Sequence, residues 1–291
     1  MTKSLLTGIV IASLATALLI AAEQPVAIVC FLSGDVKINQ SSAKLFQRFP
    51  NGTTIQTGKT GRLILAFLNG HRFEIGSNAS ATIQDNKIQA TAGQVTELSP
   101  IPASVNLNAV VDAGEQTRTA SVRLRTVATD VVIPVIYPRD GGAIQTDDSI
   151  LRFTPVENAK TYKVAIENEN GDVVFSQESS SPEIHIPSGT LVQNASYDWR
   201  VQADDEAGTF AWGGASFRTI SEPESRVRKE LQSYATSMND SSSWSLLAEL
   251  DMQMGLWWDA RGDIDRAVSA AGENQALTEL KAQVDKKLSP P

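Results

Sequence analysis

Apolar and polar positions change their period twice along this chain. Leu5–Ala22 is a predominantly apolar, uncharged run. From Val26 to Ile220 apolar residues come in short runs, or alternate with polar ones, between turns rich in glycine, asparagine and proline. That is the period of strands. From Ser221 onward the spacing lengthens to three and four residues, the period of helices. The pattern predicts a mainly β protein with an α-helical C-terminus, preceded by a leader.

Within the β region, Gly52, Gly61 and Gly70 recur nine residues apart. Thr53–Thr57, Arg62–Leu68 and His71–Ile75 lie around them, and Ile83, Ile88 and Val95 continue the pattern. Short segments closed by residues that tolerate positive φ predict a β-meander or a short β-solenoid, with a closed sandwich open as the alternative. Val26–Leu32 reads as a buried strand. After Pro100 and Pro102 the pattern loosens, and Ser121–Thr126 alternates as a closing strand would. The first module is therefore expected over 26–126.

A second β module is expected over 134–220. Pro138–Gly142 signals a turn, and Glu167–Asp172 joins Tyr162–Ile166 to Val173–Phe175 as a hairpin. Glu183–Ile186, Tyr197–Ala203 and Ala215–Thr219 complete some seven short strands, which fits a β-sandwich. With Cys30 as the sole cysteine, packing alone must hold it.

The helical segment is expected over 222–288. Ser221-Glu-Pro-Glu224 is a helix start, with proline and acids in the first turn. Val227, Leu231 and Tyr234 share one face, and Ser241–Ser243 is placed to cap a second helix. In the next stretch, small Ala248 and Ala260 would let two helices approach closely, with Trp244 filling the gap between turns.

Three resemblances attach to these segments. Gly34-Asp-Val36, Gly52-Thr-Thr-Ile55-Gln-Thr57-Gly58, Leu63-Ile-Leu65, Leu68-Asn-Gly70, Phe73-Glu-Ile75-Gly76, Ser80-Ala-Thr-Ile83 and Gly93-Gln-Val95 together resemble the FecR domain. Asn69 stands where that family usually has aspartate and suits the same type I′ turn. Ala159–Tyr162 and Tyr197–Val201 look like fibronectin type III or immunoglobulin-like modules of exported bacterial proteins. Trp244, Leu247, Ala248, Gly255, Ala260, Ile264 and Ala267 resemble one tetratricopeptide repeat, a frame of roughly 34 residues. Asp251 departs from that frame where an aromatic is usual. A single repeat cannot bury its own face. Glu222–Ser237 and Asn274–Leu288, or the sandwich, would have to flank it.

The leader 1–22 has one early lysine, a long apolar stretch and small residues at Ala21–Ala22, the parts of a secretory signal. Cleavage is expected near Ala22; left uncut, the run would be a membrane anchor. A net charge of −8 argues against a nucleic-acid partner. Cys30 is expected to be a core thiol.

No HExxH, GxSxG or Walker A motif is present, and the two histidines, His71 and His185, lie in hairpin and strand contexts. No catalytic, cofactor or metal set is expected. Glu167–Asp172 and Asp204–Glu206 carry hard oxygen ligands of the kind calcium takes, but without EF-hand spacing they read as solvated loops. The four Asn-x-Ser/Thr triplets at Asn51, Asn78, Asn194 and Asn239 read as chance occurrences.

Partner binding is expected at Met252, Met254, Trp257 and Trp258, because methionine and aromatics are enriched at interfaces. Trp212, near a glycine turn, joins Trp199 and Trp258 as a platform for a sugar. The resemblances imply an exported, periplasmic bacterial protein. The reading is a non-enzymatic envelope scaffold or adaptor for other proteins. Its alternatives are a cell-wall polysaccharide or peptidoglycan binder, and a FecR-type sensor without its own anti-sigma segment.

Overall fold

The computed structural model describes residues 24–105, 107, 131–147 and 149–289. The leader over 1–22 and the alternating segment over 121–126 lie outside the described residues. The architecture is mainly β with four C-terminal helices.

The first module is two antiparallel sheets. One runs in the order Val95–Leu98, Arg72–Ile75, Arg62–Phe67, Ala27–Ser33, Arg48–Phe49. The other runs Ser41–Ser42, Val36–Ile38, Thr54–Thr57, Ser80–Gln84, Lys87–Ala92. The chain shuttles between them, so of the forms that the glycine spacing leaves open the module is the two-sheet sandwich and not the solenoid or single meander. Its core is Val29, Ile55, Leu63, Leu65, Phe67, Ile75 and Ile83 with their neighbours.

Strands Ala27–Ser33 and Arg62–Phe67 are apolar at both phases of their alternation. Ala27, Val29, Leu63 and Leu65 face the sandwich core. Ile28, Cys30, Ile64 and Ala66 face the opposite way into a second core. A bulge between Val29 and Phe31 leaves Cys30 without a Cα partner and puts Phe31 on that same side. The hairpin at Asn69–Gly70 is not type I′. Gly70 takes φ 89° while Asn69 keeps an ordinary negative φ. The Gly70 N–H donates to Phe67 O and the Phe67 N–H to His71 O. That combination fits a type I turn followed by a glycine bulge.

The second module pairs a large sheet with a small one. The large sheet runs Val131–Val132, Gly208–Thr219, Ser196–Asp205, Thr161–Asn168, Val173–Ser179, with Gly142–Ile144 parallel to the Gly208–Thr219 strand. The small sheet is Val135–Tyr137, Ser149–Phe153, Glu183–Ile186. Leu151, Phe153, Val164, Ile166, Trp199 and Val201 fill the space between them.

The helices are α1 (Glu222–Met238), α2 (Ser241–Met254), α3 (Trp257–Ala271) and α4 (Gln275–Leu288). α1 opens with a capping box between Ser221 and Glu224. The cap of α2 is Asp240, one residue ahead of the expected serines, and its side chain accepts from the Ser243 N–H. Ser241–Ser243 instead form a buried first turn. Gly255, at φ 81°, turns the chain between α2 and α3. Ala248, Ala260, Ile264 and Ala267 are fully buried there.

These helices fill the space between the two β modules. Leu231, Tyr234, Leu246, Leu247, Leu250 and Leu277 join Ile28, Phe31, Ile64 and Ala66. Ala248, Ile264, Leu280, Val284 and Leu288 join the sandwich core. α2 has polar residues buried beside apolar ones around its whole circumference, as a central helix must. Polar ties finish the seams. Asn274 caps α4 while its Nδ2 donates to Leu32 O at 2.9 Å. The Ala143 N–H donates to Gly255 O at 3.1 Å. Arg139 donates to Lys287 O and Ser289 O.

Cutting the chain after Ile220 would therefore uncover the Ile28–Ala66 face. Such a chain is expected to bind an apolar dye and to scatter light as aggregates where the full chain does neither. A monomeric, dye-free truncation would show that this face needs no cover.

Candidate functional site

Two buried arginines mark the seams. Arg72 sits in strand Arg72–Ile75 and is 2 % exposed, on the side facing α1 and α2. Its guanidinium donates to Tyr234 Oη at 2.5 Å, to Asp240 Oδ1 and Oδ2 at 3.0 and 3.1 Å, and to Ser242 Oγ. Tyr234 in turn donates to Ser99 O at 3.0 Å. Burial pushes the Asp240 carboxyl up, but Ser242, Arg72 and the Ser243 N–H together hold it below the usual range. One residue thus caps α2 and binds the first module.

Arg228, on α1, is 3 % exposed and faces α2, α3 and the sandwich. Nε and Nη2 form a two-point pair with Asp251 Oδ1 and Oδ2 at 2.7 and 2.9 Å. Nη2 also reaches Asp259 Oδ1 at 3.2 Å, and Nη1 reaches Gln145 Oε1 at 3.3 Å. Gln145 Nε2 closes the ring by donating to Asp259 Oδ1 at 3.0 Å. Asp251, at the place where the repeat pattern expects an aromatic, is fully buried as the partner of Arg228.

A third charged contact lies between α2 and strand Arg48–Phe49. Glu249 is 3.6 Å from Arg48 and accepts from Gln253 at 2.6 Å. Burial pushes its carboxyl up to about 7, against the pull of Gln253 and Arg48.

The residues singled out in the sequence are spread over several places. Met254 points into the core shared by the helices and the first module, so it presents no surface. Met252, Trp257 and Trp258 are half-buried against the sandwich core. Arg152 lies 4.1 Å above the Trp258 ring, Tyr137 stands 6.0 Å from it, and Lys287 lies 5.6 Å from the Trp257 ring. Trp199 is core, 2 % exposed, and donates from Nε1 to Pro138 O at 3.1 Å. A buried ring cannot serve as a sugar platform. Trp212 lies apart, half-buried on the outer face of the large sheet, because its neighbour Ala211 faces the core.

No protein-family model and no curated protein matches the chain. Among solved structures it is similar to FN3tt, at 21 % identity and TM-score 0.24, over 31 % of this chain and 94 % of that one. CopC from Methylosinus trichosporium OB3b gives 16 % identity and TM-score 0.24, over 31 % and 95 %. A β-glucuronidase from Ruminococcus gnavus in complex with D-glucuronic acid gives 8 % identity and TM-score 0.22, over 91 % and 57 %. Overlap at this level carries no weight for fold or activity, and the sandwich is read from its own strand pairing.

Other chemistry-bearing groups are engaged locally. Cys30 is buried and burial pushes its thiol up to about 12, which keeps it protonated and unreactive. His71 pairs with Glu97 at 2.6 Å and His185 with Glu183 at 3.3 Å. In the acidic loop, Asp204 pairs with Lys163 at 2.7 Å, Asp205 accepts from the Ala207 and Gly208 N–H groups, and Glu206 pairs with Lys160. No group of three metal-binding side chains occurs among the described residues. A cleft of about 250 Å³ opens at one end of the sandwich, lined by Asn168, Glu169, Asn194, Asp198 and Arg218.

The surface has open sheet edges. Lys87–Ala92 pairs only with Ser80–Gln84, and Val173–Ser179 only with Thr161–Asn168, among the described residues. Nearly every side chain of both strands is exposed, including Val173 at 54 %.

Two outcomes follow. Arg72→Met leaves Asp240, Ser242 and Tyr234 without their shared donor and is expected to cost on the order of 3 kcal/mol in urea unfolding. A loss under about 1 kcal/mol would place Arg72 with ordinary surface pairs. Glu249 binds its proton more tightly folded than unfolded, so its contribution is full below the ordinary carboxylate range and is lost as pH rises through about 7. Glu249→Gln is expected to match the native chain in acid and to exceed its stability in mild alkali. Equal stabilities at both pH values would contradict the assignment.

Proposed function

We propose that the protein is a non-enzymatic adaptor of the bacterial cell envelope that holds protein partners at the open edges of its β modules. The observation carrying this reading is the two exposed edge strands Lys87–Ala92 and Val173–Ser179, each paired along one side only among the described residues. An open strand edge offers a row of N–H and C=O groups to an extended segment of another protein. The helices, by contrast, spend their apolar faces inside the molecule, so a tetratricopeptide-like groove is not the docking surface in this reading.

The FecR-like spacing over Gly34–Val95 and the signal-like leader support an extracytoplasmic, periplasmic location. Among the described residues no helix is long and apolar enough to cross a membrane. A second reading, a cell-wall polymer binder, draws on Trp212, a half-buried ring on the outer face of the large sheet.

Crosslinked capture from native cell envelope separates the two. Lysine on the edges, as in Ala92→Lys with Ser176→Lys, is expected to abolish capture of the protein partners while leaving the fold intact. Undiminished capture would remove the edges from the account. Sedimentation with isolated cell wall that survives the edge changes and fails in Trp212→Ala would favour the polymer reading instead.

A further inference from the structure

The Arg228 cluster has more acids than bases. Asp251, Asp259 and Asp263 all face its one buried guanidinium. Arg266 is half-exposed and donates to Asp263 Oδ1 at 2.6 Å. Both oxygens of Asp251 are taken by Arg228. Asp263 is 1 % exposed, and its Oδ2 is buried with no hydrogen-bond donor. Arg228 Nη2 stands 3.9 Å away, beyond hydrogen-bonding reach. Asp251 on α2 and Asp263 on α3 thus face the same buried guanidinium, and Asp251 alone is paired to it.

Two carboxylates crowded onto one guanidinium away from water do not both stay ionised. We propose that Asp251 and Asp263 share a single proton at neutral pH, and that losing it in alkali loosens α2 and α3 from α1 and the sandwich. The proton supplies the donor that Asp263 Oδ2 lacks. It also brings the cluster from three negative charges against two positive ones to a balance.

The charged and titratable groups facing the pair are Arg228 from α1, Asp259 and Arg266 from α3, and Tyr137 from the small sheet. Tyr137 is buried, kept neutral by burial and then by the charges of Asp259 and Asp251, and donates to Ala143 O. Gln145 is the polar group that the sandwich adds. Burial is the larger influence on both acids and raises them, against the pull of Arg228. Acids raised on folding stabilise the fold at low pH and lose that contribution as pH rises through their folded value.

The test uses the full chain carrying Glu249→Gln, so that the raised carboxyl outside the Arg228 cluster is silent. Asp263→Asn then separates the pair from Asp259, which burial also raises. In that chain, infrared spectra are expected to show a buried carboxylic-acid C=O band at neutral pH. The band should fade in alkali together with the urea-unfolding free energy. Adding Asp263→Asn keeps an acceptor for Arg266 and places an amide N–H where the shared proton stood. It is expected to remove the band and flatten the pH dependence of stability. A Glu249→Gln chain with no such band at neutral pH overturns the proposal, and this readout does not require the Asp263 variant to fold. An unchanged pH slope in the double variant overturns it equally.

Discussion

A sheet that is apolar on both faces has to be covered twice. Strands Ala27–Ser33 and Arg62–Phe67 bury Val29 and Leu65 against their own partner sheet, which leaves Ile28, Phe31, Ile64 and Ala66 pointing outward. Burying such side chains contributes about 1.5–3 kcal/mol each. The cover comes from helices far along the chain, and the rest of the arrangement follows from it. α2 lies against the sheet, α1 and α3 pack on α2, α4 packs on α3 and on the same sheet, and the second module seals the far side.

Apolar contact is non-directional and fixes that the helices pack, not where. The buried arginines add the position. Arg72 meets the first turn of α2 through Asp240 and Ser242, and Arg228 joins α1 to Asp251 and Asp259 on the next two helices. Sliding a helix by one turn would separate these groups and leave charges buried without partners, at a cost of several kcal/mol. In this reading the ion pairs set register, and the leucines and isoleucines supply most of the driving force.

Much of the fold was legible because it depends on local period. Strand-length segments, the helix start at Ser221-Glu-Pro-Glu224 and the small residues Ala248, Gly255 and Ala260 of a helix pair all announce themselves in the sequence. The two-sheet form of the first module did not, because strand spacing does not say which strands pair. The charged seams were the least legible. Arg72 and Arg228 look like solvated residues in any hydropathy pattern, and only tertiary contact buries them. Two weak signals existed. Asp251 occupied a position where the repeat pattern expects an aromatic. Asp259 and Asp263 are like charges four apart on one helix face, which is unfavourable unless a cation stands near. The composition of the aromatic and methionine stretch Met252–Trp258 points to an interface, but composition cannot tell an external interface from a seam. The structure puts Met254 in a core and the tryptophans against the sandwich.

The tie between Asn274 and Leu32 joins residues 242 positions apart. It makes the first strands depend on the last helix for their environment. As the chain emerges, the first sandwich can pair its strands but cannot hide the outer face of Ile28 and Ile64 until α2 and α4 have been made. Closure of this kind is non-local, and such contacts form slowly and keep intermediates sticky. The arrival of the last helix therefore sets when the first module stops being a target for chaperones and proteases.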